Sequence, residues 1–179
     1  MRRALLLAAL AFPLAPLAVQ PALTPEDFVA IKQLNAAYVF AIDNCSDGGY
    51  PYADLYVDDG TFGVSQVWGD PGSVWAAGRE ALAKAGGGDG KGVCRDPKSM
   101  PGYGIHHITA DLVITPTATG ASGRSVLFTS GVEGVPTRMR HDGGYEDSYV
   151  KTAKGWRFKT RVHVWPDIPE RLKNYKPAQ

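Results

Sequence analysis

The chain has 179 residues, 44% of them hydrophobic and 21% charged, with 19 Lys and Arg against 18 Asp and Glu. A formal charge of +1 leaves no electrostatic drive to wrap nucleic acid or coat an anionic membrane, and 10% aromatic content excludes a disordered chain. The length suits one domain with one core.

The first residues read as a targeting segment. Arg2 and Arg3 precede an apolar run from Ala4 to about Val19, broken by Pro13 and Pro16. That run is roughly 16 residues, short of the roughly 20 uninterrupted apolar residues a spanning helix needs, so a cleaved secretory leader is expected rather than an anchor. With cleavage near 18–22, the expected division is a leader over 1–22, an α+β domain over 23–166 and a tail over 167–179. Loss of Arg2 and Arg3 would bring the formal charge from +1 to −1. The expected location is therefore periplasmic or secreted, where disulfides persist. Cys45 and Cys94 are an even pair; a disulfide is the default there, and two independent thiols are the alternative. With no C-x-x-C or H-x-x-x-H spacing, no metal ligand set is expected.

Thr24-Pro25-Glu26-Asp27 predicts a helix start, with a hydroxyl cap, proline at the first position and acids at the positive end of the dipole. Phe28, Ile31, Leu34, Tyr38 and Ile42 then recur at helical spacing, and the pattern ends between Asn44 and Gly49. A short second helix is expected over Tyr50–Val57, and a turn at Asp58-Asp59-Gly60 leading to a strand over Thr61–Val67. Residues 69–104 read as irregular, with a short helix at Gly78–Ala85 and five glycines between 86 and 92. A loop that long is usually functional. Strands are expected over Ile105–Thr115, Ser125–Val132, Gly144–Thr152 and Gly155–Trp165, the last two joined in a hairpin at Ala153-Lys154. Helices first and hairpin-linked strands later predict an α+β fold with an antiparallel sheet.

Strict alternation along the strand at 106–115 groups His106 with Ile108, Ala110, Leu112 and Ile114, and puts His107 on the polar, outer face. His106 is then either a hydrogen-bonded core residue or a tuned acid/base. Asp43 closes the first helix where the dipole is negative, so it is either solvated or paired with a cation or imidazole. Ser46, Ser65 and Ser148 lie in no nucleophile elbow, and the glycine run follows no strand.

Taken in order, the helix ending in Ile42-Asp43, then YADLYVDDGTF, GREAL, HHITADLVI, GGYEDSYV and GWRFKTRV resemble the SnoaL-like branch of the nuclear transport factor 2-like superfamily over residues 24–165. That superfamily includes ketosteroid isomerases, scytalone dehydratase, polyketide cyclases and epoxide hydrolases. The resemblance implies a cone-shaped roll, a bent antiparallel sheet packed on a long N-terminal helix and enclosing an apolar pocket. Many members dimerise, so a homodimer is a candidate assembly. It implies Asp43 as the acid that orients a catalytic histidine, His106 as that histidine, and His141 as a second one. It also makes Tyr38, Tyr50, Tyr52, Trp68, Tyr103, His107 and Tyr145 candidate substrate contacts. Ile42 stands where the dehydratases carry a tyrosine, the strand near Val64 lacks their second one, and Ala110 replaces a common asparagine. The implied function is an exported, cofactor-independent lyase or isomerase for a small hydrophobic, aromatic or cyclic molecule. A non-catalytic ligand carrier is the alternative, and the leader disfavours a small subunit of an oxygenase.

Overall fold

A computed structural model describes residues 22–96, 105–132 and 135–165. The leader, Tyr103 and the tail from 167 lie outside the described residues. The elements run α1 (Pro25–Asp43), a 3-10 turn (Asp47–Gly49), α2 (Tyr50–Ala53), β1 (Tyr56–Ser65), β2 (Ser73–Ala77), α3 (Gly78–Ala85), β3 (His106–Thr117), β4 (Gly120–Val132), β5 (Val135–Thr152) and β6 (Gly155–Val164). The strands form one six-stranded sheet in the order β2-β1-β6-β5-β4-β3. All pairings are antiparallel except β1 with β6. The sheet bends around α1 in a cone-like α+β roll, and no described helix is long and apolar enough to cross a membrane.

The predicted start of α1 is present as a full capping box. Thr24 Oγ1 accepts from the Asp27 amide, and the Asp27 carboxylate accepts from the Thr24 amide. The helix turns Ile31, Leu34 and Tyr38 onto Tyr145, Tyr149 and Phe158 of the sheet, which share one core cluster with them. Three departures from the expected elements have physical causes. The second helix shrinks to Tyr50–Ala53 because strand pairing begins at Tyr56, opposite Phe158. Asp58-Asp59-Gly60 sits inside β1 as an irregularity rather than before it, and the Asp59 carboxylate pairs with Lys159. The stretch read as irregular contains β2, an edge strand whose Val74 and Trp75 stay exposed, so it lacks the buried alternation that marks a strand in sequence.

Face assignment along the sheet is set by bulges. In β3, Ala110 opposes Val126 and Val113 opposes Arg124, so one extra residue is inserted, with Asp111 at φ 53°. In β5, Gly144 opposes Val126 and His141 opposes Phe128, with Gly143 at φ 84° absorbing the extra residue. In β6, Phe158 opposes Tyr149 and Thr160 opposes Ser148, which leaves Lys159 as the insertion. Each bulge exchanges inward and outward positions beyond it.

Helix and sheet are joined by polar groups as well as by packing. Asp27 accepts from Lys151 Nζ at 2.7 Å and Trp156 Nε1 at 2.9 Å. Asn35 accepts from Arg161 Nη2 at 2.8 Å and donates to Tyr149 Oη at 3.0 Å. Tyr38 donates to Tyr145 Oη at 3.2 Å. The bonds from Lys151 and Trp156 hold the Asp27 carboxyl below the usual carboxylate range. A depressed folded-state value means this contribution is complete above pH ~4 and is lost as pH falls below it. Thermal melts across pH 2–7 are therefore expected to fall more steeply at the acid end for the native chain than for Asp27→Asn, and parallel curves would contradict this assignment.

Candidate active site

Asp43 is the last residue of α1, whose final turn carries no basic residue to offset the dipole. Its compensation comes from the start of β3. Asp43 Oδ2 accepts from the His107 amide at 2.9 Å, and Oδ1 lies 2.5 Å from His107 Nδ1. One carboxylate thus grips both the backbone and the ring of the same residue. The Asp43 side chain is only 6% exposed and that of His107 23%. Because the carboxylate can only accept, Nδ1 carries the hydrogen and the lone pair is left on Nε2.

The expected orientation of His106 and His107 is reversed. His106 is 65% exposed, with Nδ1 3.7 Å from Asp43 Oδ2, beyond a hydrogen bond. The bulge at Asp111 is the reason. Before it the inward row is His107 and Thr109; beyond it the row is Leu112 and Ile114, which pack on the core. Counting alternation back from Leu112 and Ile114 therefore selects the wrong histidine.

His141 is not brought to this end of the sheet interior. It is exposed, opposite Phe128, with ring centroids 5.5 Å apart. Among the aromatic candidates, Tyr38, Tyr52 and Tyr145 are buried around the core. Burial raises all three phenols above their ordinary pKa, so they stay protonated. Tyr50 faces elsewhere, donating to Glu80 and lying under the Arg79 guanidinium. Trp68 crosses the outer face, 4.8 Å beneath the Arg124 guanidinium and against Gly144.

Two parts of the site escape the sequence reading. The first is Arg161, fully buried, with its guanidinium 3.8 Å from the Tyr38 ring centroid, 4.0 Å from Tyr145 and 4.5 Å from Phe158. It pairs with Asp147, Nε to Oδ1 at 3.2 Å, while Tyr149 donates to the same carboxylate at 2.7 Å. Burial pushes the Asp147 carboxyl up, against the pull of Arg161. The second is His163. Its Nε2 lies 2.8 Å from the Asp142 carbonyl, and its ring lies 5.5 Å from that of Tyr145. Burial pushes its imidazole below the ordinary histidine range; His107 and Arg161 add to this, and the Asp142 carbonyl and carboxylate oppose it. The sequence signal for either is an arginine and a histidine two apart in an otherwise β-rich strand, and the insertion at Lys159 places both on the face opposite to the one that alternation from Trp156 and Phe158 gives.

The disulfide is formed. Cys45, two residues beyond Asp43, joins Cys94 with Cα atoms 5.9 Å apart. The segment it fastens lies against the turn after α1: a Cβ on Gly49, at φ 81°, would sit 2.1 Å from the Ala83 carbonyl oxygen. Two clefts are open among the described residues. One of about 470 Å³ includes Lys32, Asn35, Thr109 and Asp111, and so borders the His107 row; the other, of about 600 Å³, lies by Arg79, Lys154 and Arg157. Among the described residues no group of three or more His, Cys, Asp or Glu side chains converges as a metal site would require.

Comparison with known proteins decides the family. The model of the SnoaL-like domain matches residues 24–162. The chain belongs to the SnoaL-like domain family. A protein of unknown function from Mycobacterium tuberculosis is similar in fold at 22% identity and TM-score 0.62, over 87% of this chain and 83% of that one. A nuclear transport factor 2-like protein from Novosphingobium aromaticivorans has 22% identity and TM-score 0.59, over 83% and 87%. A candidate scytalone dehydratase from the same organism has 23% identity and TM-score 0.52, over 76% and 82%. No curated protein matches. One hydrogen-bonded His–Asp pair, His107 with Asp43, is present among the described residues of this SnoaL-like domain.

Closure of the loop between Cys45 and Cys94, 49 positions apart, is worth about 4 kcal/mol in the chain-entropy model. Replacing both cysteines by serine should lower the urea-unfolding free energy by about that amount. Amide exchange over 86–96 should accelerate in parallel; unchanged stability and exchange would show that the bridge constrains nothing.

Proposed function

We propose that this protein is an exported, cofactor-independent lyase or isomerase, in which His107 is the acid/base and Asp43 its orienter. The observation that carries this reading is the two-point grip of Asp43 on the His107 amide and ring, which leaves Nε2 as a partly exposed acceptor. The base is thus His107, where the sequence suggested His106.

The chemistry follows from that geometry. His107 Nε2 takes a proton from an activated carbon of the substrate, and Asp43 offsets the positive charge the imidazole then carries. Returning the proton to a neighbouring carbon gives an isomerisation. Delivering it to a departing hydroxyl forms a double bond and water. Such positioned proton transfer contributes about 10²- to 10⁴-fold to rate. The substrate class is a small hydrophobic, cyclic or aromatic molecule, supported by the match to the SnoaL-like domain family and by a near-neutral chain that offers no net charge for recognition. The Cys45–Cys94 bridge supports an oxidising compartment, periplasmic or extracellular. Ile108 and Val113, exposed on the outer face of β3, support self-association into a homodimer through that face.

The carrier reading is favoured by one observation, the open cleft beside Thr109, which a ligand could occupy without meeting Nε2. A native-ligand search by mass spectrometry, followed by a turnover screen of hydroxylated aromatic and terpenoid compounds, separates the two. His107→Ala is expected to lower turnover by about 10²- to 10⁴-fold while ligand binding is largely kept. Full activity in His107→Ala would overturn the assignment, and binding without turnover by the native chain would favour the carrier.

A further inference from the structure

A row of polar groups crosses four strands at the Asp43 end of the sheet interior. His107 of β3 stands opposite Thr129 of β4. Thr129 is buried and donates its hydroxyl to Asp142 Oδ2 of β5 at 3.2 Å. The Asp142 carbonyl accepts from His163 Nε2 of β6 at 2.8 Å. His163 stands opposite Tyr145 in β5, whose hydroxyl meets Tyr38 of α1, and opposite Val64 in β1. The bulges at Gly143 and Lys159 turn Asp142 and His163 into this row.

The two imidazoles are held in opposite tautomers. His107 is bonded through Nδ1 to a carboxylate, and His163 through Nε2 to a carbonyl. A carbonyl can only accept, so His163 Nε2 carries the hydrogen and Nδ1 holds the lone pair. Among the described residues Nδ1 has no hydrogen-bond partner, so its lone pair is left as an acceptor. Among the described residues no carboxylate hydrogen-bonds the His163 ring, which is stacked instead against Trp165, the two planes 11° apart.

From this geometry we infer that His163 is the specificity residue of the site: its Nδ1 accepts a hydrogen bond from a hydroxyl or N–H of the ligand while His107 Nε2 serves as the base. The inference rests on the proposal that the ligand binds at the Asp43–His107 end. An acceptor that cannot donate discriminates against a ligand lacking the donor, because its lone pair would be desolvated without replacement. The assignment also gives the two histidines separate duties. His107 exchanges protons with the support of Asp43. Burial foremost disfavours a charge on His163, with His107 across the row and Arg161 on its own strand adding to this and Asp142 opposing it.

The test is calorimetric titration of the full, disulfide-bonded chain with 4-ethylphenol and its isostere 4-ethyltoluene. The native chain should bind the phenol roughly tenfold tighter, as one neutral hydrogen bond allows. His163→Phe keeps an aromatic ring against Trp165 and removes the Nδ1 acceptor without supplying another, so the preference should vanish. In the native chain the preference should persist through the ordinary histidine range and disappear only at lower pH, where Nδ1 protonates; this arm stands even if the variant does not fold. Equal affinity of the native chain for the two probes, or a preference that survives His163→Phe, overturns the inference. His107-dependent turnover without the preference would remove the inference alone. The preference without turnover in any screen would remove the catalytic proposal alone, and binding of neither probe would remove the aromatic ligand class and the inference together.

Discussion

A guanidinium sealed from water ties the long helix to the sheet. Arg161 on β6 faces three aromatic rings, pairs with Asp147 on β5 and donates to Asn35 on α1. Taking both charges out of water costs several kcal/mol per ion in effective terms, and the surrounding rings and hydrogen bonds must offset it. What the arrangement specifies is position. Asn35 and Tyr38 can meet Arg161 and Tyr145 only if α1 has one rotation and one axial setting on the sheet, and that setting delivers Asp43 to His107. Removing either charge would leave the other buried and uncompensated, so the two must be kept or replaced together.

The helix is held at both ends by carboxylates of opposite electrostatic standing. Asp27 sits where the dipole is positive and gains Lys151 and Trp156. Asp43 sits where it is negative, and only the donors of His107 make its burial tolerable. Two residues further on, the disulfide fixes the exit of the chain from α1. The carboxylate lies between that cross-link and the Arg161 clasp, so neither a shift of the helix nor fraying of its last turn can carry it away from His107.

Much of this architecture is legible in the amino-acid order. The capping residues Thr24 and Asp27, the 3.6-residue spacing of Ile31, Leu34 and Tyr38, and the hairpin at Ala153-Lys154 are local signals, and all three appear where expected. Asp43 was legible as well, because a carboxylate at a helix C-terminus needs an explanation. What could not be read was which side of a strand faces inward. Period-2 reasoning is correct only between bulges, and β3, β5 and β6 each carry one inside the site region. His107, Arg161 and His163 are each separated by an inserted residue from the apolar positions of their strand that pack on the core, and all three turn inward against simple alternation. The one available hint was chemical: Asp111 and Gly143 are residue types that tolerate a left-handed backbone, placed where a strand would ordinarily carry neither. Trp68 and Tyr50 illustrate the complementary limit, since aromatic character marks a residue for packing without saying on which side of the sheet it packs.

The account depends on Asp43 holding His107 with its proton on Nδ1 and its lone pair on Nε2. Long-range nitrogen–proton NMR correlation of the His107 ring, in the full oxidised chain under conditions where the ring is neutral, reads that tautomer directly. The predicted result is a protonated Nδ1 and an unprotonated Nε2. A protonated Nε2, or a rapidly averaging mixture like that of a solvent-exposed histidine, would contradict the account.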